Sequence, residues 1–246
     1  AGIAVPSSIG IGVVFEEDSA GENIQLHWKD ADEKRVVLYA EKIIGLCQKK
    51  TTELRGRLTI HSDLPLGKGV GSSTALVIAI TRALLGSGAR TEALLIEDKL
   101  NPGHSGFDFE TIWENVPILF RKGTGAKPIN LPKGALEEAV LIDTGLPSES
   151  TTDLVAWMRG RETEMEKTLK TIGICTERLV QGEPLNLVMR EHNKAQVALG
   201  VVPPVVQQLI SDIEQIGGSA KVIGAGSRAG GAGMVLAVGN QKGIQT

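Results

Sequence analysis

The chain has 246 residues, 41% of them hydrophobic and 22% charged, so it can bury a core in one large or two modest domains without disulfide or metal staples. Twenty-six Lys and Arg against 29 Asp and Glu leave a net charge of −3, which argues against a nucleic-acid coat and against a polybasic membrane anchor. Three Trp, one Tyr and four Phe are too few and too scattered to form a base-stacking surface. Cys47 and Cys175 lie in apolar helical patterns and read as buried free thiols, which fits a reducing, cytoplasmic setting. No apolar run is long enough to span a bilayer, and no secretory leader is evident. Glycine is abundant, at 30 residues against a usual share of about 7%.

In chain order, Ile3 to Phe15 is β-rich around a turn-like Pro6-Ser7-Ser8. Because the pattern reads as strand almost from Ala1, natural sequence is expected to precede it. Asn23 to Trp28 alternates as a strand. Lys34 to Lys49 carries apolar residues at near-helical spacing. Arg57 to Ser62 is a strand, and Leu76 to Leu85, apolar on nearly all faces, predicts a buried helix. Thr91 to Leu100 reads as a short helix, Pro102 to Asp108 as a loop, and Val116 to Arg121 and Ala139 to Asp143 as strands. Ser150-Thr151-Thr152-Asp153 has the form of a capping box opening a helix. Helical pattern then runs to about Ile216, with breaks near 182–184 and 200–204. Lys221 to Ile223 and Met234 to Val238 predict a closing hairpin. Strands and helices do not alternate regularly, so the expected class is α+β.

Three glycine-centred clusters carry the chemistry. The first is Pro65-Leu66-Gly67-Lys68-Gly69-Val70-Gly71-Ser72-Ser73-Thr74, between a strand and a helix. Glycines let the backbone turn and approach a ligand, and the free N–H groups of the new helix suit a phosphate. Lys68 either adds positive charge there or faces solvent. No Gly-Lys-Ser/Thr closes the loop, so it is not a Walker A loop. The second cluster is Gly103-His104-Ser105-Gly106-Phe107-Asp108, preceded on a helix by Glu97. Two carboxylates and a serine loop suit a Mg²⁺ ligand and a group that orients or deprotonates an alcohol. His104 is read as a loop histidine or as a ligand of a substrate carboxylate. The third is Gly224 to Gly233. Gly224, Gly226 and Ala229 satisfy G-x-G-x-x-A, but the strand predicted next fails the dinucleotide-binding context. His27 and His61 read as sheet-surface residues, His192 as a solvated helix residue and Arg228 as a surface arginine.

These clusters together resemble the GHMP kinases, and within them the mevalonate kinases. PLGKGVGSSTA is similar to the family's P-x-x-x-G-L-G-S-S-A-A motif, GHSGFD to its G-x-P-S-G-x-D loop, and Ala220 to Gly226 to its A-K-x-T-G-A-G segment. Leu141 to Gly145 with Ser150-Thr151 is similar to D-T-G…S-T. Departures are His104 for Pro, Ile223 for Thr, and Ser227-Arg228-Ala229 within the glycine run. The family's first motif, P-G-K-x-x-L-x-G-E-H, would lie just before Gly2 to Pro6. Either it is missing from this sequence or the group it carries has been lost.

The resemblance implies a two-lobed fold, with a β-rich lobe over 1–135 and a helix-rich lobe over 136–246 closed by the hairpin. It implies transfer of the ATP γ-phosphoryl to mevalonate. Pro65, Gly67, Lys68, Gly69, Val70, Gly71, Ser72, Ser73 and Thr74 would hold ATP, and Ser73 and Glu97 would hold Mg²⁺. Asp108 would act on the alcohol. His104, Ser105, Gly106, Gly224, Ala225 and Gly226 would line the substrate. A homodimer without nucleic-acid or membrane partners is expected. Mevalonate 3-kinase, phosphomevalonate kinase and a catalytically impaired nucleotide-binding homologue are the alternatives.

Overall fold

The computed structural model describes residues 1–28, 34–51, 54–121, 123–132 and 134–239. The described chain divides into two compact units. One comprises Ala4–Leu66 and Gly71–Pro128; the other comprises Ala1–Ile3, Gly67–Val70 and Ile129–Thr246. The division therefore falls inside the first glycine cluster. Strand β1 (Gly2–Ala4) opens the chain.

In the 4–128 unit, strands β2 (Ile11–Glu17), β3 (Ile24–Trp28) and β4 (Gly56–Ser62) form a sheet of order β2-β4-β3. β2 runs antiparallel to β4, with Val13 opposite Ile60. β3 runs parallel to it, with Leu26 opposite Leu58. The parallel pair needs a crossover, which helix α1 (Lys34–Gln48) occupies in the sequence. Its apolar stripe, Ala40, Ile43, Ile44 and Cys47, packs with Leu58 and Ile60 and with Leu76, Val77 and Ile80 of helix α2 (Ser72–Leu85). Alternation along the sheet leaves His27 and His61 exposed, as expected. Cys47 is fully buried, and burial pushes its thiol up to about 11.

Helix α2 is buried on nearly every face, as its apolar run predicts, but it begins four residues earlier than that run. Helices α3 (Arg90–Leu100) and α4 (Phe107–Glu114) follow. Asp108 thus lies in the first turn of a helix rather than in a loop. Gly106 makes the turn possible: it adopts φ 85°, and the helix starts immediately after it. Strands β5 (Ile118–Arg121) and β6 (Gly125–Pro128) pair as an antiparallel hairpin. β6 was not apparent in the sequence because Gly-Ala-Lys-Pro lacks the β-branched and aromatic residues that mark strands.

In the other unit, strands β7 (Val140–Asp143), β8 (Ser219–Val222) and β9 (Met234–Val238) form an antiparallel sheet of order β7-β9-β8. Ser150 caps helix α5 (Thr151–Arg159): its Oγ accepts the Asp153 amide at 3.1 Å. The long helical stretch divides further into α6 (Glu162–Val180), α7 (Leu185–Ala198) and α8 (Pro204–Gln215). Val206, Ile210 and Ile213 of α8 pack on Ala220, Val222, Val235 and Ala237. The hairpin β8–β9 is the expected closing element, and β9, not a helix, follows the third glycine cluster. His192, expected to be solvated, instead has its Nδ1 buried without a hydrogen-bond partner. Burial and the Lys221 charge push it down to about 4. Among the described residues no helix is long and apolar enough to cross a membrane.

Candidate active site

In the 4–128 unit, the start of α2 is the focus. Gly71 takes φ 71°, a left-handed conformation that favours glycine. No side chain caps α2, and its first turn holds no acidic residue. The amides of Ser73 and Thr74, in the first turn, can therefore face an anion, with the helix dipole behind them. Ser72 and Thr74 are buried, whereas Ser73 is exposed.

Two carboxylates belong to this region. Glu97 is 1% exposed, and its Oε1 accepts a hydrogen bond from Thr74 Oγ1 at 2.8 Å. Its Oε2 is buried with no hydrogen-bond partner. Asp108 packs against the loop: a Cβ on Gly71 would lie 3.3 Å from the Asp108 Cγ. Burial holds the Asp108 carboxyl above its usual range; the nearby Glu97 charge raises it further, and His104 opposes the shift. The structure thus brings together Gly71, Thr74, Glu97 and Asp108 from three helices.

Asp108 is positioned by packing that the motifs do not reveal. Phe109, 1% exposed, packs with Ile78 and Ala93 and stacks on Trp113 at 5.8 Å. Arg82 of α2 donates to the Trp113 carbonyl at 3.3 Å and lies 4.0 Å from the Trp113 ring centroid. Arg90 pairs with Glu110 at 2.6 Å. These contacts tie α4 to α2 and α3. His104 uses both ring nitrogens within its own surroundings. Nδ1 accepts the Gly106 amide at 3.1 Å, which places the proton on Nε2, 2.8 Å from Asp98 Oδ1. It braces the turn, and the same bonds occupy the atoms expected to meet a substrate carboxylate. Ser105 Oγ likewise accepts the Phe107 amide at 3.2 Å.

In the other unit, Gly67–Val70 meets the third cluster. A Cβ on Gly233 would lie 2.5 Å from the Lys68 carbonyl oxygen, and one on Gly224 would lie 2.9 Å from that of Gly69. Glycine is thus required there by close backbone approach, which the sequence shows only as a glycine-rich run. Lys68 is largely buried rather than facing solvent, and its Nζ pairs with Asp143 at 3.2 Å. The Gly145 amide, with help from Lys68, holds the Asp143 carboxyl below its usual range. The Ser227-Arg228-Ala229 departure also has a partner. The buried Ser227 Oγ donates to the Ala229 carbonyl at 2.7 Å, and Glu149 Oε1 accepts the Arg228 amide at 2.7 Å. Arg228 is exposed, as expected of a surface arginine, and also pairs with Glu149 at 3.5 Å. Lys221 has its Nζ 2.7 Å from the Val222 carbonyl, and burial pushes it down to about 8.

Residues 38–94 match the family model of the GHMP kinases N terminal domain. The chain has the α+β fold of the GHMP kinases. Within that class it is similar to mevalonate kinases of known structure. The L. major enzyme in complex with R-mevalonate superposes with a TM-score of 0.78 at 18% identity, over 99% of this chain and 83% of that one. Mevalonate kinase from Staphylococcus aureus MRSA252 gives 0.66 at 24% identity, over 99% and 85%. Streptococcus pneumoniae phosphomevalonate kinase, in complex with phosphomevalonate and AMPPNP, gives 0.64 at 14% identity, over 96% and 84%. No curated protein matches the chain.

Proposed function

We propose that this protein is an ATP- and Mg²⁺-dependent kinase that phosphorylates the primary alcohol of mevalonate, giving 5-phosphomevalonate and ADP. The observation that carries the reading is Asp108 packed against Gly71 at the uncapped start of α2, where burial, and then the half-satisfied carboxylate of Glu97, raise its proton affinity. Phosphoryl transfer needs alignment and charge neutralisation more than covalent chemistry. The amides that open α2 supply oriented positive ends for phosphate oxygens. Asp108 takes the proton of the alcohol as its oxygen attacks the γ-phosphorus and ADP leaves. A carboxyl with raised proton affinity is closer to the optimum for that role than an ordinary aspartate.

The residues present fit a divalent cation, because the buried orphan oxygen of Glu97 has no protein donor. Glu97 and the exposed hydroxyl of Ser73 would hold Mg²⁺, which supplies charge neutralisation for the phosphates. The similarity to mevalonate kinases supports mevalonate as the acceptor, and a cytoplasmic homodimer is part of the same proposal. ADP release with ATP, Mg²⁺ and mevalonate tests it, with phosphomevalonate, homoserine and galactose as controls. Mevalonate-dependent turnover that falls by ~10²–10⁴ in Asp108→Ala is expected. Turnover with phosphomevalonate alone would reassign the acceptor. ATP binding without turnover on any acceptor would reduce the protein to a nucleotide-binding module.

A further inference from the structure

The 129–246 unit contains a cavity of about 360 Å³, lined mainly by α5, α6 and α7 and touched by the third glycine cluster only through Arg228. Trp157 of α5, Met165 of α6, Val197 of α7 and Leu199 form its apolar lining, and Arg161 and Arg228 its cationic one. Met165 and Leu199 are 6% and 4% exposed, so the hole reaches the side-chain core of this unit. That volume falls at the small end of ligand pockets, about 300–1,000 Å³.

Both guanidinium groups stand over the same indole. Arg161 Cζ lies 4.8 Å from the Trp157 ring centroid, and Arg228 Cζ lies 5.2 Å from it. The two cations are therefore at most about 10 Å apart, comparable with the Debye length at physiological salt, and they repel each other. Glu164, also on the lining, takes Arg161 Nε and Nη2 at 3.0 and 2.8 Å but leaves Nη1 for another acceptor. Arg228 makes a longer, 3.5 Å pair with Glu149, whose Oε1 is already bound to the Arg228 amide. Each guanidinium has a carboxylate partner, but Arg161 Nη1 and the loosely held Arg228 head can donate to an anion at the mouth, and the indole, methionine and leucine surfaces would take an apolar tail.

We propose that this cavity is a second ligand site, for a small organic anion that joins one phosphate or carboxylate head to an apolar body of a few carbons. It does not rest on the kinase reading. The test is calorimetric titration of the full chain with n-hexyl phosphate, with and without excess ATP, alongside Trp emission. We expect saturable binding at about 1 mM or tighter, as suits a ligand of this size, and a change in emission because the occupant contacts Trp157. Inorganic phosphate and hexanol should each bind at least tenfold more weakly. Arg228→Gln should weaken hexyl phosphate by about tenfold or more, since it removes a charge-assisted bond. Ala198→Phe, at an exposed position on the lining, should block it. Melting curves identify variants that fold. Absence of saturable binding, unchanged affinity in a folded Arg228→Gln, or displacement by ATP would overturn the proposal.

Discussion

Glu97→Gln should stabilise the protein in the absence of divalent ions, although it removes a buried side chain's only charge. The Glu97 carboxylate has one oxygen satisfied by Thr74 at 2.8 Å and one with no partner. Leaving a buried polar atom unpaired costs about 1–3 kcal/mol, and more when it is charged. The amide keeps the carbonyl that accepts from Thr74, puts a neutral unpaired NH2 where the charged orphan oxygen was, which costs less to bury, and removes the repulsion felt by Asp108. It weakens the Thr74 bond from charge-assisted to neutral, a loss of about 1 kcal/mol. The net gain is about 1 kcal/mol, or ~2–4 °C in the melting temperature of a chain this size. Thr74→Val should act oppositely and cost about 1–3 kcal/mol by orphaning the second oxygen as well. Scanning calorimetry in EDTA, then with Mg²⁺ and ATP, makes the comparison. Ligand at a hundredfold excess over its Kd adds ~2.7 kcal/mol to the wild type, and Glu97→Gln should lose most of the Mg²⁺-dependent part. A Glu97→Gln variant that melts several degrees below wild type in EDTA would refute the reasoning, because Glu97 would then belong to a satisfied core network.

Asp108→Asn should separate stability from activity. The folded-state pKa is raised above 3.8, so the wild type is most favoured below that pH and loses stability as pH rises through the folded value. Denaturant melts across pH 4–8 should show this decline in the wild type and not in the variant, while turnover falls. Gly71→Ala places a side chain at φ 71° and 3.3 Å from the Asp108 Cγ. It should cost about 1–2 kcal/mol from backbone strain and lower both turnover and ATP affinity, because Gly71 sets the helix start that would hold the phosphates; unchanged turnover would show that Asp108 does not depend on this contact. Lys221 titrates at about 8 when folded against 10.5 when unfolded, so the unfolded chain binds more protons between those values. Lys221→Met should therefore be more stable by up to about 3 kcal/mol below pH 8, with the difference vanishing by about pH 10.5 in urea melts. His192, pushed down to about 4, adds a loss of wild-type stability as pH falls from 6.5 towards 4, and His192→Gln should remove that loss.

Local periodicity and capping set much of the fold in advance. The stripe of α1, the all-round apolar α2, the Ser150 cap and the alternation of β4 are properties of short segments, and each appears in the structure as the sequence predicts. β6 and the placement of Asp108 on a helix were not legible: the former has weak strand propensity, and the latter starts at a left-handed glycine that reads equally well as a loop. The motif residues were likewise visible as types and spacings, because glycine freedom and helix-start amides are local properties. Which partner each side chain meets was not. His104 spends its nitrogens on Gly106 and Asp98, Lys68 on Asp143, and Arg228 on Glu149 and Trp157. Thr74 and Glu97 are 23 residues apart, and Glu149 and Arg228 are 79 apart, so neither pairing leaves a periodic trace. Hydrophobic packing of α2, α3 and α4 around Phe109, and of the hairpin against α8, brings those distant residues within hydrogen-bond reach. The sequence by itself determined the helices, strands and ligand-prone turns, whereas tertiary packing decided which charges are buried, paired or left without a partner.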